Sequence, residues 1–136
     1  MCQNKFIAYF FVYNSPSRSV FKGVAAFSIS SDLIMKIKKG VNVQGLHISM
    51  QKVMKVVELV YKKHGQESVI TSGMDGTHSA GSFHYFGMAL DYRTRFFEND
   101  IESVKVAQEI ASILGDNYTV IFEKTHIHIQ YNNGKL

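Results

Sequence analysis

A chain of 136 residues with 46% hydrophobic and 19% charged side chains has the size and composition of one folded domain, which excludes wholesale disorder. The lone cysteine, Cys2, excludes an internal disulfide framework and any Cys-x-x-Cys thiolate site, so a bound metal has to rest on histidines and carboxylates. The net charge of +4 is small and spread along the chain, and no aromatic-and-basic motif accompanies it, so no nucleic-acid partner is expected.

Residues 1–34 read as an N-terminal extension. Lys5 to Tyr13 and Ser19 to Ile29 are aromatic and β-branched enough to be strands, broken at Asn14-Ser15-Pro16-Ser17. The apolar block from Phe6 to Tyr13 is too short to cross a bilayer, and no other run approaches the roughly 18 residues that need. It ends in Asn14-Ser15-Pro16-Ser17-Arg18 instead of a small-residue cleavage site, so no working signal peptide and no membrane span are expected. Met35-Lys36-Ile37-Lys38-Lys39-Gly40 reads as the start of the main domain, 35–136.

From Met50 to His64 the helical period is plain, with Met50, Val53, Met54, Val57, Val60 and Tyr61 on one stripe. Ser49 suits the N-cap and Gly65 the C′ position, while Lys62, Lys63 and His64 suit the negative end of the dipole. His64 therefore reads as a solvated end-of-helix residue, and His47 has no partner at useful spacing. Ser68 to Ser72 predicts a strand closed by Gly73, followed by a Gly/Ser-rich loop to Ser82 and a strand from Met88 to Arg93. A second helix is predicted from Ile101 to Leu114, capped by Asn99 or Asp100, with Ile101, Val104, Ala107, Ile110, Ala111 and Leu114 buried and Gly115 ending it. Tyr118 to Glu123 and His126 to Tyr131 predict a hairpin around Lys124-Thr125, with a frayed tail from Asn132. The expected fold class is α+β: two main helices packed on one face of an antiparallel sheet, with a metal site on the sheet.

Four of the six histidines fall in two segments, 78–91 and 123–128. In a strand, His126, His128 and Gln130 share one face and Ile127, Ile129 and Tyr131 the other, so burying the isoleucines aims both imidazoles at the accessible side. Asp91 likewise points away from Leu90 and Tyr92, sharing its face with Ala89 and Arg93. A carboxylate in such an apolar strand wants a cation or strong donors. Two imidazoles, that carboxylate and a metal would leave a fourth position for water, with Glu123 a spare carboxylate to work on it. The bland alternative is that the strand histidines are surface residues and that Asp91 pairs with Arg93 or Arg95.

The stretch Asp75-Gly76-Thr77-His78-Ser79 through Ser82-Phe83-His84-Tyr85-x-Gly87-x-Ala89-x-Asp91, with the later Glu123-x-x-His126-Ile127-His128, resembles the zinc D-alanyl-D-alanine peptidase family. The likeness extends to its small phage-encoded members and to the related hedgehog signalling domain fold, and it covers roughly residues 35–131. The resemblance implies one zinc ion per chain held by His84, Asp91 and His128, with His126 the alternative third ligand in branches that use a Glu-x-x-His. It implies Glu123 as the proton-transferring carboxylate, and His126 or His78 as a group lining the pocket where an oxyanion forms.

The implied activity is metal-dependent hydrolysis of peptide bonds in bacterial peptidoglycan, and the lack of a signal peptide leads to the expectation of cytoplasmic synthesis, in a phage-infected host for a phage-encoded member, with action at the cell wall. Carboxypeptidase and dipeptidase branches place an arginine after the Ser-Gly that precedes the first motif. Here Ser72-Gly73-Met74-Asp75 has none, which tilts the expectation towards cleavage within a stem peptide or cross-bridge. The competing expectation is a catalytically inactive, zinc-stabilised binding module of the hedgehog-like fold. Glu123 separates the two, because a pure binding module has no need of a water-activating carboxylate.

Overall fold

The computed structural model describes residues 35–132, so the strands expected in 1–34 and most of the C-terminal tail lie outside the described residues. In chain order the elements are β1 (Lys36–Ile37), α1 (Met50–Lys63), β2 (Val69–Ser72), a single 3₁₀ turn (Phe83–Phe86), β3 (Ala89–Arg93), α2 (Asp100–Leu114), β4 (Tyr118–Glu123) and β5 (His126–Tyr131). The strands form one five-stranded sheet in the order β1-β2-β3-β5-β4. The fold is α+β, as composition and periodicity predict, but the sheet is mixed and not antiparallel throughout. The short strand β1 runs parallel to β2, because the chain between them passes through α1, the crossover that a parallel pair requires. The remaining pairs are antiparallel.

The core lies against one face of this sheet. Leu90, Tyr92, Ile127 and Ile129 are wholly buried there, as are Met50, Val53, Val57 and Val60 of α1. Tyr61 of α1 tilts against Tyr92 at 6.2 Å, and its hydroxyl donates to the Arg93 carbonyl oxygen at 2.9 Å. Helix α2 packs on α1 and on β4. Ser49 does not cap α1 with its side chain; its backbone is already helical and its hydroxyl lies 2.8 Å from His47 Nδ1. Asn99 does cap α2, its Oδ1 accepting from the Glu102 N–H at 2.9 Å.

The buried stripe of α2 is rotated from the expected one. Ser103, Val106, Ala107, Ile110 and Leu114 face inward, while Ile101 and Val104 are exposed. The buried hydroxyl of Ser103 donates to the Asn99 carbonyl oxygen at 3.2 Å, so a polar side chain can occupy a core-facing position without losing its hydrogen bond. An Ile110→Ala substitution is expected to cost about 2–5 kcal/mol in urea unfolding, and Ile101→Ser less than about 0.5 kcal/mol. Equal costs at the two positions would contradict this placement of the helix.

Candidate metal centre

The alternation that sends Leu90, Tyr92, Ile127 and Ile129 into the core turns Asp91, His126, His128 and Gln130 to the opposite face. Asp91 pairs in register with His128 of β5, and Arg93 with His126. Between β2 and β3 the register shifts, so that Ile70 faces Tyr92 while Ser72 faces Asp91. Such an irregularity bends the strand that carries it. It leads the chain into Gly73, whose carbonyl oxygen accepts a 2.6 Å hydrogen bond from His84 Nδ1.

Two glycines hold this corner for steric reasons. A Cβ on Gly73 would collide with the Asn42 carbonyl oxygen, which accepts from the Met74 N–H at 2.8 Å. Gly87 closes the 3₁₀ turn with φ +67°, and a Cβ there would lie 2.6 Å from the Gly45 carbonyl oxygen.

His84, Asp91 and His128 each place a ligand atom within 4.8 Å of the others, a group able to hold a metal ion. His84 Nε2 lies 3.3 Å from Asp91 Oδ1, and His128 Nδ1 lies 2.8 Å from the same oxygen. The outer nitrogens fix the tautomers. A carbonyl oxygen only accepts, so His84 carries a proton on Nδ1 and turns Nε2 inward. His128 Nε2 lies 3.1 Å from Gln130 Oε1, and the Gln130 amide donates in turn to Asn132 Oδ1 at 3.1 Å. His128 is thereby protonated on Nε2, which leaves Nδ1 the nitrogen that faces Asp91. The Asp91 carboxylate between these inner nitrogens calls for positive charge, from protons on the nitrogens or from a metal ion that replaces them, and outer hydrogen bonds of this kind are what orient metal-binding imidazoles. His84 and Asp91 are only 2% and 8% exposed, so solvent does little to supply that charge balance.

The other expected site residues gather around this group. His126 Nε2 lies 3.3 Å from Glu123 Oε2 and 3.8 Å from Asp91 Oδ2, and its Nδ1 is 3.1 Å from the Thr125 hydroxyl. Glu123 and His126 are register partners, so Glu123, His126 and Arg93 form a row across β4, β5 and β3 beside the row that holds His128 and Asp91. His78 stacks flat on His84, with ring centroids 4.0 Å apart. Arg93 and Arg95 both lie over the Phe96 ring, at 5.5 and 5.3 Å.

His47 and His64 stand apart from the group and are not bare surface residues. His47 stacks on Tyr131, and His64 Nε2 lies 3.1 Å from Glu109 Oε2 on α2, which places it in an ion-pairing position and not free in solvent. Gln130 and the Gly73 carbonyl were not foreseen in these roles. Gln130 shares the histidine face by strand alternation, but a backbone acceptor leaves no mark in a sequence.

Burial works to raise the Asp91 pKa, yet hydrogen bonds from His128 and His84 and the nearby charges of His84 and His126 outweigh it and hold the carboxyl well below the usual carboxylate range. For His128 burial works downward, and the hydrogen bonds to Asp91 and Gln130 prevail to raise its pKa above the ordinary 6.5. Below the raised His128 pKa the metal-free pair is imidazolium and carboxylate, with the Nδ1 proton donated to Asp91. The raised His128 value contributes stability that is complete below 6.5 and is lost as pH rises through the folded-state pKa. The depressed Asp91 value contributes stability present above 3.8 and lost as pH falls through its folded value. The melting-temperature gap between metal-free wild type and metal-free His128→Gln should therefore be widest near about pH 5 and shrink towards about pH 8. Added zinc should reverse the trend, because it competes with the proton for the imidazole. A gap that stays flat over this range in both states would contradict the pairing. No helix among the described residues is long and apolar enough to cross a membrane. No family model, no curated protein and no solved structure matches this chain.

Proposed function

We propose that this protein is a zinc peptidase acting on bacterial peptidoglycan, built on the fold that the zinc D-alanyl-D-alanine peptidases share with the hedgehog signalling domain. The observation that carries the reading is the convergence of two oriented imidazoles and the Asp91 carboxylate next to a Glu123–His126 pair. Nitrogen and oxygen donors in this number suit zinc with one coordination position left open. Zinc, which His84, Asp91 and His128 would hold, would supply a Lewis acid for a peptide carbonyl and a water of pKa about 7.

The chain's own residues do the rest. Glu123 is half-exposed, with 52% of its side chain accessible, so its carboxylate can reach a substrate and a water without leaving the strand. It takes the proton of the attacking water and returns it to the nitrogen of the leaving amine. His126 stands between Glu123 and Asp91, where its Nε2 proton can swing to the negative charge that grows on the scissile carbonyl oxygen. His78 is less suited to that task, because its Nε2 proton is spent on the Asp75 carbonyl oxygen at 2.8 Å.

The corner after Ser72-Gly73 carries Asp75, whose Oδ1 accepts from the N–H groups of Asn42 and Gly73 at 2.9 Å each. An anionic corner disfavours a free substrate carboxylate there, which supports cleavage within a stem peptide or cross-bridge over trimming of a free terminus. The test is turnover of purified sacculi and of a free pentapeptide by zinc-loaded protein. Glu123→Gln should keep zinc and lose about 10²–10⁴-fold in rate, whereas His84→Ala and Asp91→Ala should lose the metal. Full activity in Glu123→Gln would remove its role. Zinc binding without turnover of any peptidoglycan fragment would replace the peptidase with a zinc-stabilised binding module.

A further inference from the structure

The His84 ring is held on one edge by the Gly73 carbonyl oxygen, but an imidazole tethered at one point can still tilt. Its flat face is covered by His78, with the rings 6° from parallel. His78 lies on a loop, and a loop side chain keeps such a position only if its backbone is tied down. The tie is Tyr85. Its hydroxyl accepts from the His78 N–H at 2.7 Å and donates to the His78 carbonyl oxygen at 2.9 Å, engaging both polar backbone groups of one residue. The Tyr85 ring also meets the His78 ring edge-on at 5.7 Å. On the far side His78 Nε2 donates to the Asp75 carbonyl oxygen, within 3.4 Å of the Ser72 hydroxyl.

From this geometry we infer that Tyr85 is a positioning residue for the metal centre, acting through His78 as a clasp that keeps the His84 lone pair aimed and slows escape of the bound ion. The inference rests on the metal-centre reading and does not depend on which bond the protein cleaves. Tyr85 contacts no member of the ligand group through its hydroxyl, and the residue is 42% exposed, so loss of that hydroxyl leaves the core intact. Groups in direct contact with a metal ligand commonly govern metal affinity by about 10–100-fold, and Tyr85 holds such a group, His78, in place.

The experiment compares the wild type, Tyr85→Phe, His78→Ala and the double variant, reading zinc release to a chelator and the visible spectrum of the cobalt-substituted protein. Tyr85→Phe should release zinc about tenfold faster or more and change the cobalt band, while the metal-free melting curve stays where it was. His78→Ala should do at least as much, and adding Tyr85→Phe to it should change nothing further, since the hydroxyl acts through His78. Unchanged release in Tyr85→Phe, or effects that simply add, would overturn the clasp while leaving the metal centre standing. A wild type that takes up no zinc would overturn the metal centre, and the clasp with it.

Discussion

Asp91 sits in the middle strand of the three that build the site, with β2 on one side and β5 on the other, and its carboxylate is buried among imidazoles. Removing such a charge from water costs several kcal/mol unless it is matched by a cation and by hydrogen bonds. Everything around it answers that demand. The strand register is enforced from the opposite face, where Leu90, Tyr92, Ile127 and Ile129 are wholly buried. A slip of one residue in β3 or β5 would drive Asp91 or His128 into the core and expose the isoleucines, so the apolar packing and the polar site specify the same pairing.

That register also divides the labour. One row across the sheet brings His128 and Asp91 together, with Ser72 beyond them, and His84 reaches in from the 3₁₀ turn. The neighbouring row brings Glu123, His126 and Arg93 side by side. A metal bound to the first row would stand beside the carboxylate and imidazole of the second, about one strand step of two residues away, or roughly 7 Å between backbones. The hairpin turn at Lys124-Thr125 is what places Glu123 opposite His126, and Lys124 meets it with a left-handed φ of +48°.

Much of this could be read from the residues. The strand alternation in His126–Tyr131 and the flanking of Asp91 by Leu90 and Tyr92 located the two faces, because a half-buried strand has no other way to sort its side chains. Most of the α1 stripe was legible too, although Met54 is only half-buried while Val56 and Glu58 are buried beside it. The rotation of α2 was not, since a satisfied serine at a core position is invisible to a count of apolar residues, and Ile101 and Val104 supplied a false stripe. The parallel strand β1 spans only two residues and exists by virtue of its partner, so local propensity carries no trace of it. The same holds for the outer hydrogen bonds. The Gly73 carbonyl and the doubled use of the Tyr85 hydroxyl depend on a register shift and a turn that only the folded chain reveals.

The central claim is that His84, Asp91 and His128 share one ion. X-ray absorption at the zinc edge of the purified, zinc-saturated protein tests it most directly. The account predicts one zinc per chain, with two imidazole nitrogens and carboxylate and water oxygens at about 2.0–2.2 Å. A first shell with fewer than two imidazoles, or the same spectrum after Asp91→Ala and His128→Ala, would contradict it.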